Sequence, residues 1–258
     1  MPAVQLNFKK IGKGRPMIIL HGLFGNLDNW KSIANELQNE FTLYLVDLRN
    51  HGKSPHTSAM NYQLMSKDIQ LLIEKEGLYR TNIIGHSMGG KVCFQLLQDI
   101  PDEIHKAMII DITSRKHSSG LDNVFKGMFA IDIDSLVKRS DAETILSQYI
   151  PEPSTRQFIL KSLERLPDNK FVWKINLKVL FDEYDKIGEE IKFTHKCDVP
   201  LTILSGSLSP YVQKEDIQFL NKEIFTELHW KVIQNAGHWV HAEKPLETIQ
   251  EIREFFNE

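Results

Sequence analysis

The sequence predicts an α/β fold, a mostly parallel sheet covered by helices on both faces, and three observations carry that prediction. Short runs that are apolar throughout alternate with stretches whose apolar residues recur at helical spacing. Several of those runs end on glycine-bearing or acidic turns, as strands feeding helices do. The alternation stops near residue 112 and resumes near 197, with a helix-rich stretch between. Strands without a polar face need cover on both sides, which parallel sheets with crossover helices provide.

The elements follow in order. Residues 1–8 alternate apolar and polar side chains and read as a strand, not a secretory leader. Met17-Ile18-Ile19-Leu20 is a buried strand ending at His21-Gly22, and Trp30, Ile33, Ala34 and Leu37 mark the helix after it. Residues 41–46 form the next strand, closed by the polar run from Asp47 to Ser54; Met65, Ile69, Leu72 and Ile73 give the following helical face. Residues 82–85 and 107–110 are further strands, with a helix through Val92, Cys93, Leu96 and Leu97 between them. Residues 113–196 show no buried strand and carry helical pieces over 142–149 and 155–166, broken by Pro151, Pro153 and Pro167. Strands at 201–204 and 230–233, a helix over 214–221 and a helix opening at Pro245 complete the pattern. The expected division is a core of residues 1–112 and 197–258 interrupted by a helical insertion at 113–196.

Composition narrows the function classes. At 258 residues, 41% hydrophobic and 25% charged, the chain is long enough to bury a large core. Its 31 basic and 34 acidic residues leave a net charge of −3, which gives no footprint for nucleic acid. No apolar stretch approaches the roughly 20 residues that span a bilayer. Two cysteines, Cys93 and Cys197, make no disulfide framework and point to a reducing, cytoplasmic setting. The sequence assigns no oligomeric state.

The chemistry centres on Gly85-His86-Ser87-Met88-Gly89-Gly90. This G-x-S-x-G pattern sets a serine on a sharp strand-to-helix turn, where its oxygen is exposed to a base. Open parallel sheets place ligands at the carboxyl ends of their strands. His21-Gly22, Asp47, Ser87, Asp111 and Ser205-Gly206 all follow strands, and His238 lies in the loop after another, so they converge on one edge. His238 is the candidate base, C-terminal to the serine as the order Ser, acid, His requires. The N–H groups of Met88 and Leu23 are the candidate oxyanion donors. The acid usually follows the strand ending at Leu204, but Ser205-Gly206-Ser207-Leu208-Ser209-Pro210-Tyr211 has no carboxylate. Asp216 falls inside a helix as a solvated charge, so the acid is assigned to Asp111, one strand over. His86 and His241 read as structural; His238-x-x-His241 lacks the third ligand a metal needs, so neither metal nor cofactor is expected. The Asp47–Arg49 turn reads as a brace for these loops. Phe24 and Trp239, with Phe125, Met128 and Phe129 of the insertion, are candidates for lining a substrate pocket. Lys116, Lys138, Arg139 and Arg156 are candidates for meeting a charged head group.

With H-G-L-F-G at 21–25, D-L-R-N-H-G-K-S at 47–54, G-H-S-M-G-G at 85–90 and G-H-W-V-H-A-E-K-P at 237–245, the chain resembles the α/β-hydrolase fold over essentially its whole length. Asp111-Ile112-Thr113 and Ser209-Pro210-Tyr211-Val212 make it similar, more narrowly, to the YbfF-type bacterial esterases. The resemblance implies a triad of Ser87, Asp111 and His238 under a helical cap inserted after the fold's sixth strand. It also implies hydrolysis of short-chain acyl esters, with acyl-CoA thioesters as further small-molecule substrates. Two alternatives accompany this expectation: a carbon–carbon bond hydrolase or lyase of the same fold, and a non-catalytic small-molecule receptor on the scaffold.

Overall fold

The computed structural model describes residues 2–117 and 120–257. Strands β1 (Phe8–Gly12) and β2 (Arg15–Leu20) lead to α1 (Lys31–Leu37), β3 (Phe41–Val46), α2 (Tyr62–Glu76), β4 (Thr81–His86), α3 (Met88–Asp99) and β5 (Ile104–Ile110). Between β5 and the next sheet strand lie α4 (Asp122–Phe129), α5 (Arg139–Ser147), α6 (Pro153–Leu160), β6 (Leu163–Arg165), β7 (Phe171–Trp173), α7 (Leu177–Asp182) and α8 (Tyr184–Gly188). The sheet resumes with β8 (Leu201–Gly206), then α9 (Lys214–Glu223), β9 (Leu228–Ile233), α10 (Val240–Glu243) and α11 (Pro245–Asn257).

Seven strands form one sheet in the order β1-β3-β2-β4-β5-β8-β9, and all pairs are parallel except β1 with β3. Side chains alternate across it as the pleat demands. Ile18, Leu20, Ile83, Ile109 and Ile203 face one side with Met65 and Ile69 of α2 and Val92 and Leu96 of α3. Met17, Ile19, Ile84, Met108, Ile110 and Leu204 face the other, against Ile33 and Leu37 of α1 and Ile249 and Ile252 of α11. The continuous apolar runs are thus explained by burial on both faces. Val124, Met128, Leu146 and Leu160, between β5 and β8, join the first of these clusters.

Three expectations are corrected. The N-terminal strand starts at Phe8, not at the beginning of the alternating run: residues 2–7 form no strand, and the Asn7 carbonyl takes a lone bond from the Asp47 N–H. Met1 lies outside the described residues. The strand before Asp111, sixth in the resemblance's count, is the fifth of this chain. Residues 155–166 are not one helix. Helix α6 ends at Leu160, and β6 and β7 form a hairpin turning through Asn169 at φ 69°. Proline at 167 cannot continue a helix, and Leu163 and Phe171 bury themselves from three-residue strands too short to show a period. Among the described residues no helix is long and apolar enough to cross a membrane.

Candidate active site

The site grows from the turn between β4 and α3. Ser87 sits at φ 52° and ψ −117°, a conformation costing on the order of 1–3 kcal/mol for a residue with a side chain. The surroundings enforce it: the Ser87 N–H donates to the Ile110 carbonyl at 2.9 Å. Glycine is required on either side by close approach. A Cβ on Gly85 would come within 2.3 Å of the Gly89 carbonyl oxygen, and one on Gly89 within 2.7 Å of the Leu20 and His21 carbonyl oxygens.

The loop after β9 brings His238 to this turn. Ser87 Oγ donates to His238 Nε2 at 3.0 Å, and His238 Nδ1 donates to Asp111 Oδ2 at 2.7 Å. Asp111 is fully buried at the end of β5, itself at φ 54°. Its Oδ1 accepts the Gly206 N–H at 3.1 Å, and its Oδ2 also accepts the Ser209 hydroxyl. Two donors besides His238 therefore hold the carboxylate in place. The Tyr211 ring stacks on the His238 imidazole at 4.2 Å. Below the histidine, His86 Nε2 donates to the His238 carbonyl at 2.8 Å, fixing the loop. Burial holds His86 well below its ordinary value, so it stays neutral.

The glycine-bearing loop after β2 faces Ser87. His21 Nδ1 donates to the Gly22 carbonyl at 2.8 Å and its Nε2 accepts the Leu48 N–H at 3.0 Å. His51 Nδ1 donates to the Arg49 carbonyl at 2.9 Å and its Nε2 accepts the Phe24 N–H at 3.3 Å. Burial pushes these imidazoles down to about 4 and about 3, the values of neutral scaffold groups. With the Phe24 N–H taken by His51 and the Gly25 N–H by the Gly22 carbonyl, the N–H groups of Leu23 and Met88 lack acceptors among the described residues.

Ser87, Leu23, Met88 and His238 line a cavity of about 240 Å³. Phe24 and Trp239 line it too, as do Leu121 just before α4 and Val124 within it, Thr155, Phe158 and Ile159 of α6, and Tyr184, Ile187 and Gly188 of α8. The other lining candidates are corrected. Phe125 packs behind Phe24 at 5.3 Å, Met128 is fully buried, and Phe129 is half exposed against Phe181. None of the three reaches the cavity. Leu121 at the N-terminal boundary of α4 and Val124 within it line the cavity instead.

The four basic candidates also lie off the cavity. Arg139 donates to the Leu160 and Leu163 carbonyls, and Arg156 pairs with Glu143 at 2.7 Å. Arg49 does not pair with Asp47 but makes a bidentate, fully buried pair with Asp68 of α2 at 2.6 and 2.7 Å. Asp47 still braces the loops, accepting the Leu27 and Lys53 N–H groups at 2.8 and 2.9 Å. Asp216 accepts the Gln213 N–H at the start of α9 and pairs with Arg115 at 3.1 Å, away from His238. His241 is buried with its ring stacked on Trp30 at 4.4 Å. Among the described residues no group of three could hold a metal ion.

Ser209, Tyr211, Tyr62 and Lys91 are site residues the sequence reading gave no role. Ser209 had a signal, a hydroxyl where a carboxylate was sought. Tyr62 and Lys91 had none, since each reads as one polar position on a helix.

A family model described as alpha/beta hydrolase fold matches residues 15–245. Esterase YbfF of Escherichia coli is 36% identical over 248 residues, covering 94% of this chain and 93% of that protein. The sn-1-specific diacylglycerol lipase ABHD11 of Danio rerio is 32% identical over 252 residues, covering 95% and 79%. Among solved structures, a marine microorganism esterase superposes with a TM-score of 0.95 at 38% identity, covering 98% of this chain and all of that one.

Proposed function

The chain belongs to the α/β-hydrolase family, and on that premise we propose that it is a serine carboxylesterase working on short-chain acyl esters through an acyl-enzyme. The observation that carries the proposal is the unbroken chain of hydrogen bonds from Ser87 through His238 to Asp111, opening on a cavity. His238 Nε2 takes the Ser87 proton as Oγ attacks the ester carbonyl. The N–H groups of Leu23 and Met88 hold the oxyanion, each such donor contributing about 3 kcal/mol to the transition state. His238 then gives the proton to the departing alcohol, and Asp111 stabilises the imidazolium formed on the way. Water enters and loses a proton to His238 as it attacks the acyl carbon, and His238 returns that proton to Ser87 Oγ as the ester bond to the serine breaks and the acid leaves. Neither a metal nor a redox group takes part in these steps.

In this reading residues 113–196 are a cap over a core of residues 1–112 and 197–258, supplying the apolar wall that holds the acyl chain. The cavity volume favours short acyl groups, and the same chemistry accommodates acyl-CoA thioesters. Two measurements test the proposal. Wild type should hydrolyse p-nitrophenyl acetate and butyrate and be labelled at Ser87 by a fluorophosphonate, while Ser87→Ala should do neither. An unlabelled wild type points to the binding-protein alternative; labelling with diketone-acid cleavage but no ester turnover points to carbon–carbon chemistry.

A further inference from the structure

Lys91 lies one helical turn beyond Ser87 on α3 and is only 2% exposed. Its ammonium donates to three backbone carbonyls: Arg115 at 2.8 Å, Gly188 at 3.4 Å, and Glu189. Arg115 belongs to the crossing by which the chain leaves β5. Gly188 and Glu189 belong to the crossing by which it returns toward β8. The crossings also hold each other, His117 N–H donating to the Gly188 carbonyl at 2.9 Å and Ile191 N–H to the Ser114 carbonyl at 2.8 Å. The Tyr62 hydroxyl adds a bond to the Ile187 carbonyl at 2.6 Å. The crossings are so close that a Cβ on Gly188 would come within 2.7 Å of the His117 carbonyl oxygen. Lys91, Tyr62, His117, Ile187 and Gly188 all line the cavity that holds Ser87.

We propose that Lys91 is a positioning residue that pins this neck shut, and that opening of the neck admits acyl groups longer than the closed cavity holds. The proposal rests on Ser87 being the nucleophile. Separating the two crossings removes part of the cavity wall, so the closed neck sets the acyl length and the open neck relaxes it.

The charge on Lys91 gives the neck a direction of response to pH. Burial pushes the ammonium down to about 7; Glu190 and Glu189 oppose the shift and Arg115 adds to it. The Tyr62 ring lies 5.8 Å from Nζ, and His117, held at about 4, stays neutral near pH 7. Opening returns Lys91 to water and toward its ordinary value of 10.5. The open state therefore binds more protons between about 7 and 10.5, so rising pH in that window favours the closed neck.

Amide exchange at His117 and Ile191, the two N–H groups that close the neck, reads this equilibrium once corrected for intrinsic rates. In wild type, protection at both should rise about tenfold from pH 6 to pH 8. In Lys91→Met it should be flat, and the ratio of kcat/KM for p-nitrophenyl octanoate over acetate should rise several-fold. Equal wild-type protection at the two pH values, or an unchanged ester ratio in a folded Lys91→Met, overturns the proposal. If that variant does not fold, the wild-type exchange profile decides alone. Fluorophosphonate labelling of Ser87 in the same samples separates the two readings: unlabelled protein with a normal exchange profile removes the nucleophile and leaves the neck.

Discussion

Asp111 engages both carboxylate oxygens, Oδ1 with the Gly206 N–H and Oδ2 with His238 and Ser209. A neutral amide in its place would present an N–H toward donors that need an acceptor and would lose the charge facing the imidazolium. Asp111→Asn should lower kcat by about 10⁴, by analogy with the same replacement in other serine triads. Asp216→Asn should leave kcat nearly unchanged, since that carboxylate serves Gln213 and Arg115. Ser209→Ala removes one hydrogen bond to the charged group and should cost about tenfold in kcat/KM. Steady-state kinetics on p-nitrophenyl butyrate with the three variants checks the order; a crippled Asp216→Asn beside a healthy Asp111→Asn would reverse the assignment. The carboxylate at 111 was legible because the expected loop lacked one. The hydroxyl that steadies it was legible only as a gap.

Among the elements, the loop after β3 is tied to α2 by the Arg49–Asp68 pair, fully buried on both sides. Burial raises the Asp68 carboxyl, while Arg49 and the Val4 N–H pull it back down. Asp68→Ala would leave the guanidinium buried without its partner and should destabilise the protein by about 3–5 kcal/mol, read as a lower urea midpoint. Asp68→Asn keeps a hydrogen-bond acceptor and should lose less. No periodicity announces this pair, because an acid on a helix looks solvated until the fold sets an arginine from another loop against it. The inner strands were legible for the opposite reason: burial on both faces writes itself into nearly every residue of the run, as in β4 and β8. The β6–β7 hairpin fell between these cases, with strands too short to carry a pattern.

At the scale of the whole molecule, several imidazoles are scaffold rather than chemistry. Burial holds His21 at about 4 and His51 and His241 at about 3, against an ordinary value near 6.5. As pH falls below 6.5 the unfolded chain takes up protons that the folded chain refuses until about 4 to 3. Stability should therefore decline steadily from pH 6.5 toward 4, seen as a falling urea midpoint, and His51→Gln should make that decline shallower. Apolar residues between β5 and β8 share one continuous core with one face of the sheet, and β8 pairs with β5 across that whole stretch. This has a consequence in time. A ribosome makes Ser87 and Asp111 long before His238, and β9 with its loop joins the sheet only through β8. Under the proposed triad, the nascent chain thus carries a mute hydroxyl on a strained turn, and its base arrives in one late step, when the sheet acquires its seventh strand.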